Sequence, residues 1–263
     1  MAEQGYLLDN RAGLAGSRCV ALAALYDPST FRHLEGLGIA AGWRCWEVGA
    51  GGSSVVRWMA ERVGPAGRVL ATDIDVSWAE GAVRPNVEVR RHDVALDDAP
   101  EQAFDLVHAR LVLIHVEKRE PALRKLVRAL RPGGWLVLED ADPALQPLSC
   151  LEALGPAQEL ANKIRTGFRT LLAQRGVDLA YGRKLPRLLR EAGLTLVAAD
   201  AYFPVALAAC GPLEIATVNL IREQILSNGI ATSAEIERHL ADVAAGKLDL
   251  AQPPMITAWG QKP

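Results

Sequence analysis

"RCWEVGAGGSSVVRWMAERVG", residues 44–64, decides the fold. Cys45, Trp46 and Val48 make a short apolar run that ends in Gly49-Ala50-Gly51-Gly52. A stretch with helical spacing follows at once, carrying Val55, Val56 and Met59, with Ser53 or Ser54 placed to cap it. Strand, glycine turn, helix is the order in which a chain brings bare backbone N–H groups up to a nucleotide-like ligand.

Six more strands are expected downstream. "RVLATDID" (68–75) and "VEVRRHDV" (87–94) are apolar runs with acidic residues at or near their ends. "FDLVHARLVLIHV" (104–116) leads into a helix with Leu123, Leu126, Val127 and Leu130 on one face, which Pro132-Gly133-Gly134 should stop before "WLVLED" (135–140). "LTLVAADAYF" (194–203) and "PMITAWG" (254–260) complete the set. Strands separated by helical patterns predict an α/β, doubly wound (Rossmann-like), seven-stranded and mostly parallel sheet with helical cover and lid segments. Ligands bind such sheets outside the carboxyl ends of the strands.

The remainder reads as helical: 156–175, 183–192, 213–227, and a helix opened by the capping box Thr232-x-x-Glu235. The N-terminal 40 residues are helical too, with Leu14, Val20, Leu22 and Leu25 partly periodic. Expected segments are thus a helical cover (1–40), a Rossmann-like cofactor-binding core (41–145), a helical lid insertion (146–192) and the last strands with two helices (193–263).

Composition narrows the function. Of 263 residues, half are hydrophobic and 23% charged, so the chain can bury a full core. The formal net charge is -2, which disfavours a nucleic-acid partner; Arg90-Arg91-His92 reads as a solvated strand end. No apolar run approaches the ~20 residues of a membrane span. Cys19, Cys45, Cys150 and Cys210 are scattered, as free thiols of a reducing compartment are. No apolar leader segment opens the sequence, and a cytoplasmic location is expected. Apolar cover helices leave room for a homodimer.

The residues past the strands select the ligand. In the dinucleotide pattern G-x-G-x-x-G the third glycine would fall on Ser54, and Glu47 would repel a pyrophosphate. A carboxylate at Glu47 suits a ligand with an ammonium and no phosphate, which describes S-adenosylmethionine. Asp73 is placed for ribose hydroxyls, Asp93 for an adenine amine and Val94 for an apolar wall. Taken singly, Asp73 and Asp93 read equally as helix caps or turn residues. The competing class is an NAD(P)-dependent oxidoreductase, which Ser54 and Glu47 disfavour.

The motif around Glu47–Gly51, with "ATDID", "RHDV", "FDLVHARLVLIH" and "LRPGGWLVLED" in this order and spacing, resembles a class I S-adenosylmethionine-dependent methyltransferase. The details are similar to bacterial enzymes that tailor natural products, and within them to the branch methylating indole C3 of tryptophan-containing cyclic dipeptides. The resemblance implies Glu47, Gly49, Gly51, Asp73, Ile74, Asp93 and Val94 in the cofactor site, S-adenosylhomocysteine as product and a small-molecule acceptor. Phenol O-methylation and amine N-methylation are the alternatives.

Methyl transfer is an in-line displacement that rewards positioning and exclusion of water. A general base is needed only if the nucleophile must lose a proton. His115, past the fourth strand, is the candidate base, with a helix cap or core packing as the plainer reading. Tyr26 and Asp27 in "LYDPST" (25–30) are candidates for gripping an acceptor N–H, although Asp27-Pro28-Ser29 is also a helix-stop signal. Arg18 is a candidate for the cofactor carboxylate, unless it simply faces solvent, and Arg110 is a weaker cofactor or substrate candidate. Glu139-Asp140 read as turn or capping residues. The aspartates of "DVALDDAP" (93–100) lack metal-site spacing, so no metal is expected.

Overall fold

Seven strands form one sheet in the computed structural model, which describes residues 7–8 and 15–263. They are β1 (Arg44–Val48), β2 (Arg68–Asp73), β3 (Val87–Arg91), β4 (Phe104–Arg110), β5 (Leu130–Ala141), β6 (Thr195–Tyr202) and β7 (Met255–Gln261). Their order is β3-β2-β1-β4-β5-β7-β6. β1 to β5 are parallel, and β7 runs antiparallel to both β5 and β6. The direction of winding reverses between β1 and β4, which is where a doubly wound sheet opens its ligand crevice. The helices are α1 (Ala15–Gly36), α2 (Ser54–Val63), α3 (Arg119–Ala129), α4 (Pro156–Gln174), α5 (Leu185–Glu191), α6 (Cys210–Leu220), α7 (Arg222–Ser227) and α8 (Ser233–Ala244).

The chain divides into two compact units whose bounds differ from the expected segments at 40, 145 and 192. The sheet unit comprises residues 26–141, 181–202 and 255–263. The helical unit gathers, among the described residues, 7–8, 15–25, 142–180 and 203–254. The reason is burial: Val218, Ile221, Ile225 and Ile236 share one apolar core with Leu160, Ile164, Leu171 and Leu172 of α4, so 203–254 belongs with 142–180. In the sheet unit, Val55, Val56 and Met59 of α2 pack with Leu34, Cys45, Val69, Leu106 and Val137.

Several local expectations are corrected. Pro28 does not end α1; it lies inside the helix, where its missing N–H leaves the carbonyl of Ala24 without its usual donor. Pro132-Gly133-Gly134 does not stop α3, which ends at Ala129; β5 already runs through it. Gly134 fits there because a Cβ would crowd the Phe104 carbonyl 2.9 Å away on β4. Residues past Arg110 leave the strand and form a 3-10 turn, Leu113–His115, rather than extending β4 to 116. The helix expected over 213–227 is two, α6 and α7. The Thr232–Glu235 capping box is present in both directions, opening α8. Leu14 lies outside the described residues.

Candidate active site

Alternate residues of a strand share a face, and one face of the sheet changes character along the strands. Toward their starts it presents Cys45, Val69, Leu106 and Val137 to the apolar core. At their carboxyl ends the same alternation brings out Glu47, Asp73, His108 with Arg110, and Glu139. All of these except Arg110 are buried, which a polar group tolerates only when it is paired.

Pairing runs across the strands. Glu47 and His108 are register partners on β1 and β4, and His108 Nδ1 lies 2.6 Å from Glu47 Oε2. On its other side His108 Nε2 lies 3.4 Å from Glu139 Oε2. Thr257 Oγ1, opposite Glu139 on β7, donates to Glu139 Oε1 at 2.8 Å, and Thr30 Oγ1 of α1 donates to Oε2. Arg110 reaches α1 as well, through Asp27 Oδ1 and Thr30 Oγ1, each at 2.9 Å. His33 Nε2 lies 2.8 Å from Asp200 Oδ1 on β6. Residues 27–33 of α1 are thereby tied to three of the sheet's strands, β4, β5 and β6, by polar contacts.

The charges follow from this arrangement. Burial pulls the His108 imidazole down, but Glu47 and Glu139 outweigh it and hold its pKa up at about 9. Burial pushes Glu139 up, yet its hydrogen bond and charge contact with His108 bring it down to about 2. Glu47 is raised, because burial exceeds the opposing pull of His108. Asp140, on the opposite face of β5, is pushed well above the usual carboxylate range by burial. The reading of Glu139-Asp140 as turn or capping residues is therefore corrected: both are 1% exposed inside β5.

The glycine turn and its neighbours fit a nucleoside carrying an amino acid. Gly49 has φ 69°, and a Cβ there would collide with the Val112 side chain, so the turn requires glycine. At Gly51 an added Cβ would meet only the Gly49 carbonyl at 3.8 Å, which leaves that backbone open to approach. Asp73 Oδ2 accepts from Gly51 N–H and Oδ1 from Asp75 N–H, both at 3.0 Å. Burial raises the Asp73 pKa against the opposing backbone hydrogen bonds of Asp75, Gly51 and Ile74, and a carboxylate with three N–H donors still has acceptor capacity for a ribose hydroxyl. His108 takes Oε2 of Glu47, so Oε1 is the oxygen left for an ammonium.

The other candidates take distinct places. Ile74 is exposed just past β2, and Val94 is buried past β3. Asp93 Oδ1 accepts from Ala95 N–H at 2.8 Å, a turn contact that leaves Oδ2 available. His115 is half-buried, its backbone N–H bonded to the Val112 carbonyl in the 3-10 turn. Tyr26 is buried with its ring edge-on to Tyr202 at 6.1 Å. Asp27 and Arg110, expected on acceptor and cofactor separately, pair with each other. Arg18 belongs to the helical unit, half-buried, its Nε without a hydrogen-bond partner among the described residues. Sequence reasoning missed His108, Thr30 and Thr257. The one signal for His108 was a histidine interrupting the apolar run of "FDLVHAR", two residues from Arg110 on the same face. Among the described residues no His/Cys/Asp/Glu group suits a metal ion, and no helix is long and apolar enough to cross a membrane.

Comparisons with known proteins agree on what this architecture is. Residues 46–138 match the methyltransferase domain family. Methyltransferase str2 of Strobilurus tenacellus is 33% identical over 141 residues, covering 53% of this chain and 48% of the relative. Methyltransferase GfsG of Streptomyces halstedii is 27% identical over 184 residues, 67% of this chain and 61% of the relative. The ubiquinone/menaquinone biosynthesis C-methyltransferase UbiE of Pseudomonas fluorescens is 33% identical over 119 residues, 42% and 46% of the two chains. The chain thus spans about half to three fifths of the length of these relatives. Among solved structures, phosphoethanolamine N-methyltransferase 2 of Haemonchus contortus, bound to phosphomonomethylethanolamine and S-adenosylhomocysteine, superposes with TM-score 0.61 at 13% identity. That match covers 100% of this chain and 61% of the other. Residues 46–138 thus match a methyltransferase domain, and the chain shares its fold with that S-adenosylhomocysteine-bound methyltransferase.

Proposed function

We propose that the protein transfers a methyl group from S-adenosylmethionine to a small-molecule natural product, releasing S-adenosylhomocysteine. The observation that carries this is the convergence of Glu47, the Gly49–Gly51 turn and Asp73 at the carboxyl ends of β1 and β2. When bound, the cofactor supplies an electrophilic methyl group for in-line displacement. Asp73 accepts from the ribose hydroxyls, Glu47 Oε1 faces the ammonium, and the Gly51 backbone allows close approach. Asp93 Oδ2 and Val94 serve the adenine, and Ile74 covers it from the end of β2.

The acceptor we favour is an indole, methylated at C3 in a tryptophan-derived cyclic dipeptide. Two things support it: the similarity in detail to natural-product methyltransferases, within which the indole C3 branch falls, and a carbon methyltransferase among the relatives. C3 of an indole is nucleophilic without prior ionisation, so the chain needs only to accept the N1 proton as positive charge develops on the ring. His115 is the first candidate for that proton. Tyr26 and Asp27 are the secondary ones, since Arg110 already engages one oxygen of Asp27.

The test is incubation with labelled S-adenosylmethionine and a panel of indoles, phenols and amines, read by product mass and position. His115→Ala should lower kcat by ~10²–10⁴-fold, the usual worth of a general base, with cofactor affinity intact. For a phenol acceptor this loss would shrink at high pH as phenolate forms unaided; for an indole it would persist. An N1-methylated indole should react poorly. Methylation found only on oxygen or nitrogen would remove the indole assignment, and wild-type turnover by His115→Ala would remove His115.

A further inference from the structure

The buried row at the carboxyl ends of β1, β4 and β5 contains a group that the transfer reaction does not itself require. His108 is completely buried and has a carboxylate against each ring nitrogen. A carboxylate only accepts, so an imidazole so placed satisfies both neighbours only as a double donor, the protonated form. Glu47 needs such a neighbour. It is 3% exposed, and an isolated carboxylate at that depth takes up a proton rather than stay charged. A protonated Glu47 could not hold an ammonium.

We infer that His108 is a positioning residue of the cofactor site, an internal cation that keeps Glu47 ionised and turns its Oε1 toward the cofactor's ammonium. This rests on the reading of Glu47 as the ammonium's partner. Every charged group around His108 has a place in the scheme. Glu139, held by Thr30 and Thr257, anchors the far nitrogen and fixes the ring. Arg110, hydrogen-bonded to Asp27 and Thr30, acts on Glu47 through its charge without contact, and His33 lies between Asp200 at 2.8 Å and Glu139 Oε1 at 3.8 Å, so His108 is the cation in contact with Glu47. Glu47 with Glu139 against one imidazolium leaves one negative charge in excess, and the incoming ammonium balances it. The specificity is for the amino-acid end of the cofactor and should be absent for adenosine thioethers that lack it.

The discriminating variant is His108→Asn, which keeps a donor near Glu47 but removes the charge. Binding of S-adenosylhomocysteine and of 5′-methylthioadenosine, which has no amino acid, is measured by calorimetry between pH 6.5 and 8.5. Wild type should bind S-adenosylhomocysteine with nearly constant affinity across this range. In His108→Asn that affinity should fall roughly tenfold or more at the acid end, one pKa unit of lost coupling, and recover as pH rises and Glu47 ionises. Affinity for 5′-methylthioadenosine should match wild type throughout. A flat wild-type profile in the variant, or equal loss for both ligands at every pH, would overturn the inference.

Failure of the underlying reading looks different. It appears as no binding of S-adenosylhomocysteine by wild type, or as undiminished binding by Glu47→Gln. Should His108→Asn not fold, the histidine ¹³C and ¹⁵N shifts of the wild-type protein decide. A doubly protonated His108 at pH 8 is expected, and a neutral His108 at pH 7 would overturn the inference.

Discussion

Each of the two units buries a histidine among charged partners, and the two clusters are built with opposite balance. In the sheet unit one base, His108, stands between two acids, Glu47 and Glu139. In the helical unit one acid, Glu214, stands between two bases: Arg165 Nη2 at 3.1 Å from Oε2 and His239 Nε2 at 3.1 Å from Oε1. Arg165 Nη2 also lies within reach of Gln252 Oε1, the Ala251 carbonyl and Ser149 Oγ, so α4, α6 and the 250–252 segment meet at one guanidinium. Excess acid at the open ends of strands is a standing invitation to a cation. An acid closed in by its own chain's bases is a fastener. The same residue types thus serve binding in one unit and cohesion in the other, and position relative to the strand ends separates the two roles.

Breaking the fastener should have the largest effect. Arg165→Met leaves Glu214 buried with only His239, and loss of one partner of a buried pair costs about 3–5 kcal/mol. Denaturant unfolding should register this. The double variant Arg165→Met with Glu214→Leu should recover most of it, because the uncompensated charge is gone. A double variant as unstable as the single would mean that the cluster does more than hold the helices together.

A smaller effect separates the units by pH. Glu214, raised by burial but lowered further by Arg165 and His239, is held at about 2, and Glu139 also at about 2. Both carboxylates therefore stabilise the fold fully above their ordinary pKa of 4.5, and this contribution is lost as pH falls toward 2. His108 works in the other direction. Held up at about 9, it contributes fully below pH 6.5 and loses that contribution as pH rises through 9. Hydrogen exchange compared at pH 7 and pH 9, corrected for intrinsic rates, should show protection falling in β1, β4 and β5 while α4 and α8 keep theirs. Equal losses in both units would contradict the opposite balance of the clusters.

Much of this was legible in the sequence where local chemistry decides structure. The glycine turn after β1, the acidic residue ending β2 and the Thr232–Glu235 box need only a few neighbouring residues to form. Pro28 was misread because a proline's local preference for ending a helix is outweighed when Leu25, Tyr26, Thr30, His33 and Leu34 around it are all buried. Pro132-Gly133-Gly134 carries a strong stop signal, yet β4 lies alongside, and Gly134 is what lets the two backbones approach. His108 could not be assigned from its own segment, since its meaning depends on Glu47 and Glu139, which lie 61 and 31 residues away in sequence. The bounds of the helical unit are not legible in the sequence for a similar reason. Its pieces are separated by residues 26–141, which carry β1 to β5, and by 181–202, which carry α5 and β6, and shared burial rather than continuity joins them.

The most direct measurement is calorimetric titration of the wild-type protein and of Asp73→Ala with S-adenosylhomocysteine, alongside NAD and NADP. The expected result is binding of S-adenosylhomocysteine by wild type, weakened by about 1.5–3 kcal/mol in Asp73→Ala as hydrogen bonds to a charged group are lost, with no response to either nicotinamide cofactor. Unchanged affinity in Asp73→Ala would remove that residue from the site. Binding of NAD or NADP in place of S-adenosylhomocysteine would contradict the assignment of the domain as a methyltransferase.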